Sequence, residues 1–234
     1  MKALLDLVYP RQCAGCGMRV GEAEGHLCLD CISDTTLLTP PYCEVCGEPV
    51  SGRVDHAYTC HQCATRRPCY DWARAATRYE GPVRDALHDF KYRQALWLQN
   101  DLVQLLVALY HVHLHATPID AVIPVPLHRR RRRQRGFNQS EFLARGLSQE
   151  IMRPLLLKKL VRIGYTGSQT SLSANERVKN VRGAFTVRQE AEMEGKCILL
   201  LDDVVTTGAT VSECARVLKN AGADRVVVLS VARG

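Results

Sequence analysis

Lys196-Cys-Ile-Leu-Leu-Leu-Asp202-Asp203-Val-Val-Thr206-Thr207-Gly208-Ala209-Thr210 is the stretch that decides the fold. Ile198 to Leu201 is an unbroken apolar run, which suits a strand buried on both faces of a parallel sheet. Two adjacent carboxylates end the run, a Thr/Gly turn follows, and Val211 to Ala221 has the spacing of a helix. The order is strand, acidic edge, phosphate-sized loop, helix start. A helix start presents unpaired N–H groups and the positive end of the dipole, which together bind phosphate. Gly208 lets the backbone approach an anion closely, and Thr206, Thr207 and Thr210 add hydroxyl donors. Asp202 and Asp203 repel phosphate but accept from sugar hydroxyls, or hold Mg²⁺ that touches them. A ribose 5-phosphate satisfies both halves.

Outward from this stretch the chain alternates strands and helices. Trp72 to Tyr79, Asp120 to Pro126, Leu155 to Val161 and Arg225 to Val231 read as strands. Pro82 to Tyr92, Ala95 to Tyr110 and Asn138 to Ile151 read as helices, and Gly183 to Phe185 returns the chain to the sheet. The pattern predicts an α/β domain with a parallel sheet over residues 71–234. Arg129, Arg130, Arg131, Arg132, Arg133 and Arg135 fall between a strand end and a helix, where open parallel sheets bind ligands. A pyrophosphate or a nucleic-acid backbone fits them. Phe137 reads as a stacking face beside these cations or, with more weight, as a core residue anchoring the next helix. Residues 162–180 form a long polar insertion, a length that marks a functional or disordered loop.

The first 70 residues differ in kind. Eight of the 11 cysteines form four Cys-x-x-Cys pairs: Cys13/Cys16, Cys28/Cys31, Cys43/Cys46 and Cys60/Cys63. The pattern repeats after thirty residues, with glycine after Cys16 and after Cys46. Thiolate-only ligation of this spacing predicts two closed, structural Zn²⁺ sites. Sequential pairing closes the shortest loops and is preferred; a cross-braced pairing of Cys13/Cys16 with Cys43/Cys46 stays open. Residues 1–70 carry 6 Lys/Arg against 8 Asp/Glu, and residues 71–234 carry 25 against 16, so the basic surface belongs to the second part. The 46% apolar content is ordinary for a soluble chain, and no run is long enough for a membrane span or arranged as a signal peptide. The expected location is cytoplasmic.

Asp-Asp-Val-Val-Thr-Thr-Gly-x-Thr at 202–210 resembles the PRPP-binding motif of type I phosphoribosyltransferases. With the paired cysteines, Pro124-Val125-Pro126, Arg135 to Gln139, Gln169/Leu172/Arg177/Asn180 and Gly183 to Phe185, the whole chain resembles the ComF family. The resemblance implies a double zinc-ribbon module at 1–70 and a phosphoribosyltransferase-like domain at 71–234. It implies that Asp202 and Asp203 face the ribose hydroxyls and Mg²⁺, and that Thr206, Thr207, Gly208, Ala209 and Thr210 face the 5-phosphate. Arg135, Gly136, Phe137 and Asn138 would lie on the pyrophosphate side, with Gln169 and Arg177 in a flexible loop over the site. The family is implicated in natural competence, so PRPP, single-stranded DNA and DNA-uptake proteins are the expected partners. Amidotransfer is not expected, since Met1-Lys2 offers no cysteine nucleophile, and neither is a hood after the last strand. Whether phosphoribosyl transfer occurs stays open, because fold alone does not establish it.

Overall fold

The computed structural model describes residues 11–21, 25–52, 54–164 and 180–234. Its strands are β1 (Trp72–Arg78), β2 (Ala121–Pro124), β3 (Leu160–Arg162), β4 (Phe185–Val187), β5 (Cys197–Val205) and β6 (Arg225–Arg233). Its helices are α1 (Leu29–Ser33), α2 (His61–Thr65), α3 (Gly81–Tyr92), α4 (Gln99–Leu114), α5 (Arg129–Arg135), α6 (Gln139–Glu150) and α7 (Ala209–Asn220). The main sheet is parallel throughout, in the order β1-β6-β5-β2.

The predicted apolar run is the middle of this sheet. Ile198 to Leu201 are fully buried, because β5 has a strand on each side and helices on both faces. Successive side chains alternate. Leu199 and Leu201 join Leu87, Phe90, Leu102, Leu106, Leu143 and Leu147 from α3, α4 and α6. Ile198 and Leu200 join Val211, Cys214 and Leu218 from α7 on the opposite face. Each such leucine or isoleucine contributes roughly 1.5–3 kcal/mol of burial.

The two ribbons close the open edge of the sheet, and one packs against each face. Cys13, Leu27, Cys28 and Cys31 belong to the core under α3 and α4, whereas Cys43, Val45, Cys46 and Cys63 belong to the other. At the exposed edge of β1, the Ala73 N–H donates to Val45 O at 2.8 Å and the Arg78 N–H to Thr36 O at 3.0 Å. An edge strand with unpaired groups invites aggregation, and these contacts cover it. Buried Arg233, at the end of β6, adds a tie from the sheet to the second ribbon: it donates to Glu48 Oε2 at 2.6 Å and Cys46 O at 2.9 Å.

Several expectations change. The arginine run, expected only between a strand end and a helix, is itself a helix, α5, closed at Gly136, whose φ of +84° supplies the left-handed cap. The strand expected at 155–161 reduces to a single bridge, Val122 to Leu155, followed by β3. Residues 183–185 lead into β4, which pairs antiparallel with β3 and not with the main sheet. Both changes have one cause: β2 is only four residues long, and its Val122 donates to Pro154 O and accepts from the Leu156 N–H, leaving little edge for another strand. No helix among the described residues is long and apolar enough to cross a membrane.

The repeated glycines separate two effects. Gly17 and Gly47 have φ of +74° and +72°, but a methyl on Gly17 meets nothing within 4 Å, whereas one on Gly47 would lie 2.6 Å from Ala73 O of β1. Gly17→Ala should cost about 1–2 kcal/mol, the left-handed penalty alone. Gly47→Ala should cost clearly more, because the second ribbon must also lift from the sheet. Urea unfolding at fixed free zinc measures both; equal losses would mean that the close approach contributes nothing.

Candidate functional site

Asp202 and Asp203 do not end β5. The strand continues past them because β6 pairs on, Asp202 with Ser230 and Val204 with Ala232. Period-two alternation sends Asp203 to the face of α3, where Lys91 on the last helical turn reaches it: Lys91 Nζ lies 2.5 Å from Asp203 Oδ2. Asp202 Oδ1 instead accepts from the Ser140 hydroxyl at 2.9 Å and the Asp203 N–H at 3.0 Å. The two acids are therefore held in different electrostatic states. Burial, then the negative charge of Asp203, push Asp202 well above the usual carboxylate range. Burial acts the same way on Asp203, but Lys91 outweighs it and brings Asp203 below that range.

The phosphate-sized loop follows at once. Gly208 caps α7 with φ of +73°, which favours glycine, and a Cβ there would stand a tight 3.1 Å from the Tyr70 hydroxyl. Thr206, Thr207, Gly208, Ala209 and Thr210 line one wall of a cavity of about 690 Å³, whose floor holds Asp202 and Asp203.

The arginines form the facing wall, divided by helical geometry. Arg131 and Arg135, four apart, line the cavity, and Arg129, Arg130 and Arg133 are exposed. Arg132 sits 3.7 Å from Glu141. The Arg135 guanidinium lies 4.8 Å from the centre of the Tyr92 ring and donates to its hydroxyl at 3.2 Å. Phe137 is not a stacking face. It is 7% exposed and packs edge-on against Phe90 and Phe142, with ring centres 5.5 and 5.2 Å away. Asn138, also buried, donates to Val125 O at 3.1 Å and so ties the start of α6 to the end of β2.

Lys91, Tyr79, Tyr92, Ser140 and Arg162 also line the cavity, and sequence reasoning singled out none of them. Lys91 had a legible signal: it stands four residues after buried Leu87, on the apolar face of α3. Arg162 was read only as the start of an insertion; it is 8% exposed, with its guanidinium 5.3 Å from the centre of the Phe185 ring. Gln169 and Arg177 lie outside the described residues.

Away from the cavity, the cysteines gather as two sets, Cys13/Cys16/Cys28/Cys31 and Cys43/Cys46/Cys60/Cys63, which is the sequential pairing. Four thiolates around one Zn²⁺ at about 2.3 Å stand about 3.8 Å apart. Cys16 and Cys28 Sγ are 3.7 Å apart, as are Cys46 and Cys60. Both sets fit structural zinc. Backbone N–H groups of Cys28 and Cys60 point at the sulfurs of Cys13 and Cys43, each at 3.3 Å. Such bonds outweigh the opposing effect of burial and bring Cys13 down to about 6 and Cys43 to about 7, favouring the thiolate ligand. Mg²⁺ fits less simply, because the Lys91 ammonium already lies against Oδ2 of Asp203.

Comparison with known proteins finds two family matches in the chain. The family described as "Double zinc ribbon domain" matches residues 4–64, and the family described as "Phosphoribosyl transferase domain" matches residues 124–234. The chain is 30% identical to "Competence protein F" of Haemophilus influenzae, covering 95% of this chain and 96% of that protein. It is 32% identical to "DNA utilization protein YhgH" of Escherichia coli, over 97% and 99% of the two chains. Among solved structures, adenine phosphoribosyltransferase from Trypanosoma brucei is similar at 15% identity and a TM-score of 0.40, over 67% of this chain and 58% of that one.

The raised Asp202 predicts a pH effect. A carboxyl that titrates higher folded than unfolded contributes stability below its unfolded pKa and loses it as pH rises through the folded one. Asp202→Asn keeps the acceptor for Ser140 and removes that loss, so it should stabilise the fold by about 0.5–2 kcal/mol at pH 8 and have little effect at pH 4. Thermal unfolding across pH checks this; destabilisation at pH 8 would contradict it.

Proposed function

The chain belongs to the ComF family of competence protein F, and from that premise we propose that its C-terminal domain binds 5-phosphoribosyl pyrophosphate and that the protein handles single-stranded DNA in competence. One observation carries the ligand reading. A phosphate-sized loop at the start of α7 and the cations Arg131, Arg135 and Arg162 line one cavity, with Asp202 and Asp203 on its floor. A 5-phosphate suits the loop, a ribose diol the acids, and a pyrophosphate the guanidinium groups. Mg²⁺ accompanies the pyrophosphate, whose oxygens are the hard ligands that it prefers. Asp202, Asp203 and residues 206–210 are the proposed ribose and 5-phosphate contacts, and the facing wall of arginines is the proposed pyrophosphate side.

The DNA reading rests on charge and on names. Relatives that match nearly the whole chain are called competence and DNA utilization proteins. Here α5 presents Arg129, Arg130 and Arg133 outward, beside Tyr92, which is 59% exposed and braced by Arg135. Tyr92 thus takes the stacking role that buried Phe137 does not. The zinc ribbons hold the sheet edge, and their exposed face is offered to a protein of DNA uptake. Phosphoribosyl transfer remains the alternative reading of the same cavity, with pyrophosphate as the leaving group and arginines to stabilise it.

Calorimetry should show Mg-dependent PRPP binding, weakened at least tenfold by Thr210→Val with Asp202→Asn. Undiminished affinity would remove the cavity as the site. In the same preparation, pyrophosphate release on adding bases, amines or oligonucleotides would mark an enzyme; none would mark a binding module. Separately, changing Arg129, Arg130 and Arg133 to Ser should lower the slope of log affinity for single-stranded DNA against log salt by about 2. An unchanged slope in the folded variant would exclude α5 as the DNA contact.

A further inference from the structure

The floor of the cavity already contains a cation. Lys91 Nζ lies 2.5 Å from Asp203 Oδ2, with only 12% and 7% of the two side chains exposed. The Tyr79 ring centre is 5.6 Å from the same nitrogen, so the ammonium is walled on a second side. Asp202 is turned elsewhere, toward the hydroxyl of Ser140 and the Asp203 N–H. Neutral donors bond to one acid, and a positive charge stands against the other.

A Mg²⁺ ligated directly by Asp203 would need a carboxylate oxygen at about 2.0–2.1 Å and an octahedral shell that keeps several waters. The ammonium already takes the approach to Oδ2. A divalent ion placed beside it on a water-poor floor would meet strong like-charge repulsion. An ammonium also has donors to spare, three in all, so it can hold Asp203 and still face a sugar oxygen. A lysine buried on a long stem and clamped by its acid has little freedom to leave.

We infer that Lys91 is a resident counter-cation that does at Asp203 what a divalent metal would do, holding the carboxylate in place for a ribose hydroxyl. The sugar-phosphate half of the ligand is then bound without metal, and Mg²⁺ reaches the site only on the pyrophosphate half. Lys91 is a positioning residue in this arrangement. The inference rests on the ribose-phosphate reading above and adds to it a division of labour between protein cation and metal.

Calorimetric titration of the full chain with ribose 5-phosphate and with PRPP, each in EDTA and in Mg²⁺, tests the two ideas separately. Wild-type affinity for ribose 5-phosphate should be the same within about twofold with or without Mg²⁺, while PRPP binds at least tenfold tighter with it. Lys91→Met should weaken ribose 5-phosphate binding at least tenfold in EDTA, and Mg²⁺, now free to approach Asp203, should restore most of it. Lys91→Arg, which keeps a cation, should lose less. The wild-type comparison needs no variant and stands even if Lys91→Met fails to fold. Three results overturn the counter-cation role while leaving the ribose-phosphate reading intact: wild-type binding of ribose 5-phosphate that requires Mg²⁺, a Lys91→Met variant that binds as wild type does, and a loss that Mg²⁺ does not restore. No binding of either ligand in any condition overturns both.

Discussion

A strand buried on both faces can hold charge only where the chain leaves the core, and that constraint places the site. β5 lies between β2 and β6 with helices above and below, and its first five residues are buried. Carboxylates inside that run would lose their hydration without return. At the carboxyl end the neighbouring elements supply partners instead: Lys91 from α3, Ser140 from α6, and the Thr/Gly loop that opens α7. Every group proposed to bind ligand is positioned by its relation to this strand end, which is also where open α/β sheets generally bind.

The same constraint explains why the acids differ. Adjacent residues on a strand point to opposite sides, so Asp202 and Asp203 cannot share one environment. Two buried charges next to each other would repel strongly, and a single lysine relieves only one of them. The result is one acid clamped to a cation and held below the usual carboxylate range, and one pushed above it by burial and by its neighbour's charge. Lysine and acid are each tolerable in that interior only because of the other, and removal of either would leave an unpaired charge.

The ribbons solve a different problem. An α/β sheet of four strands has two edges, and β1 is one of them. The zinc module lies along it and contributes cysteines to both cores, so metal binding in the module and packing of the sheet reinforce each other. Binding of each Zn²⁺ contributes on the order of 10 kcal/mol to a stretch that has little core of its own. The first ribbon is fastened through Asp101 of α4, which accepts the His26 N–H at 2.8 Å, and the second through Arg233. A break at residue 70 in composition is therefore a seam in sequence across which the backbone hydrogen bonds continue.

Periodicity, charge order and cysteine spacing by themselves determined the parallel α/β sheet, the strand–loop–helix order at 197–220 and the eight candidate zinc ligands, because each depends on neighbours in the chain; which cysteines share a site was decided by the structure. The resemblance to a known family likewise rests on residues in line. What the tertiary structure alone decided depends on residues far apart. Lys91 meets Asp203 only once α3 lies on β5, and Phe137 is buried only because Phe90 and Phe142 converge on it. Arg131 and Arg135 part from Arg129, Arg130 and Arg133 only because the run is helical. Leu155 to Val161 has the apolar content of a strand, yet four-residue β2 meets it only at one bridge and the segment's end pairs with β4 instead, because strand formation needs a partner edge as well as a propensity. Local patterns record which face of an element is buried; which side chain meets which across the core is decided by packing.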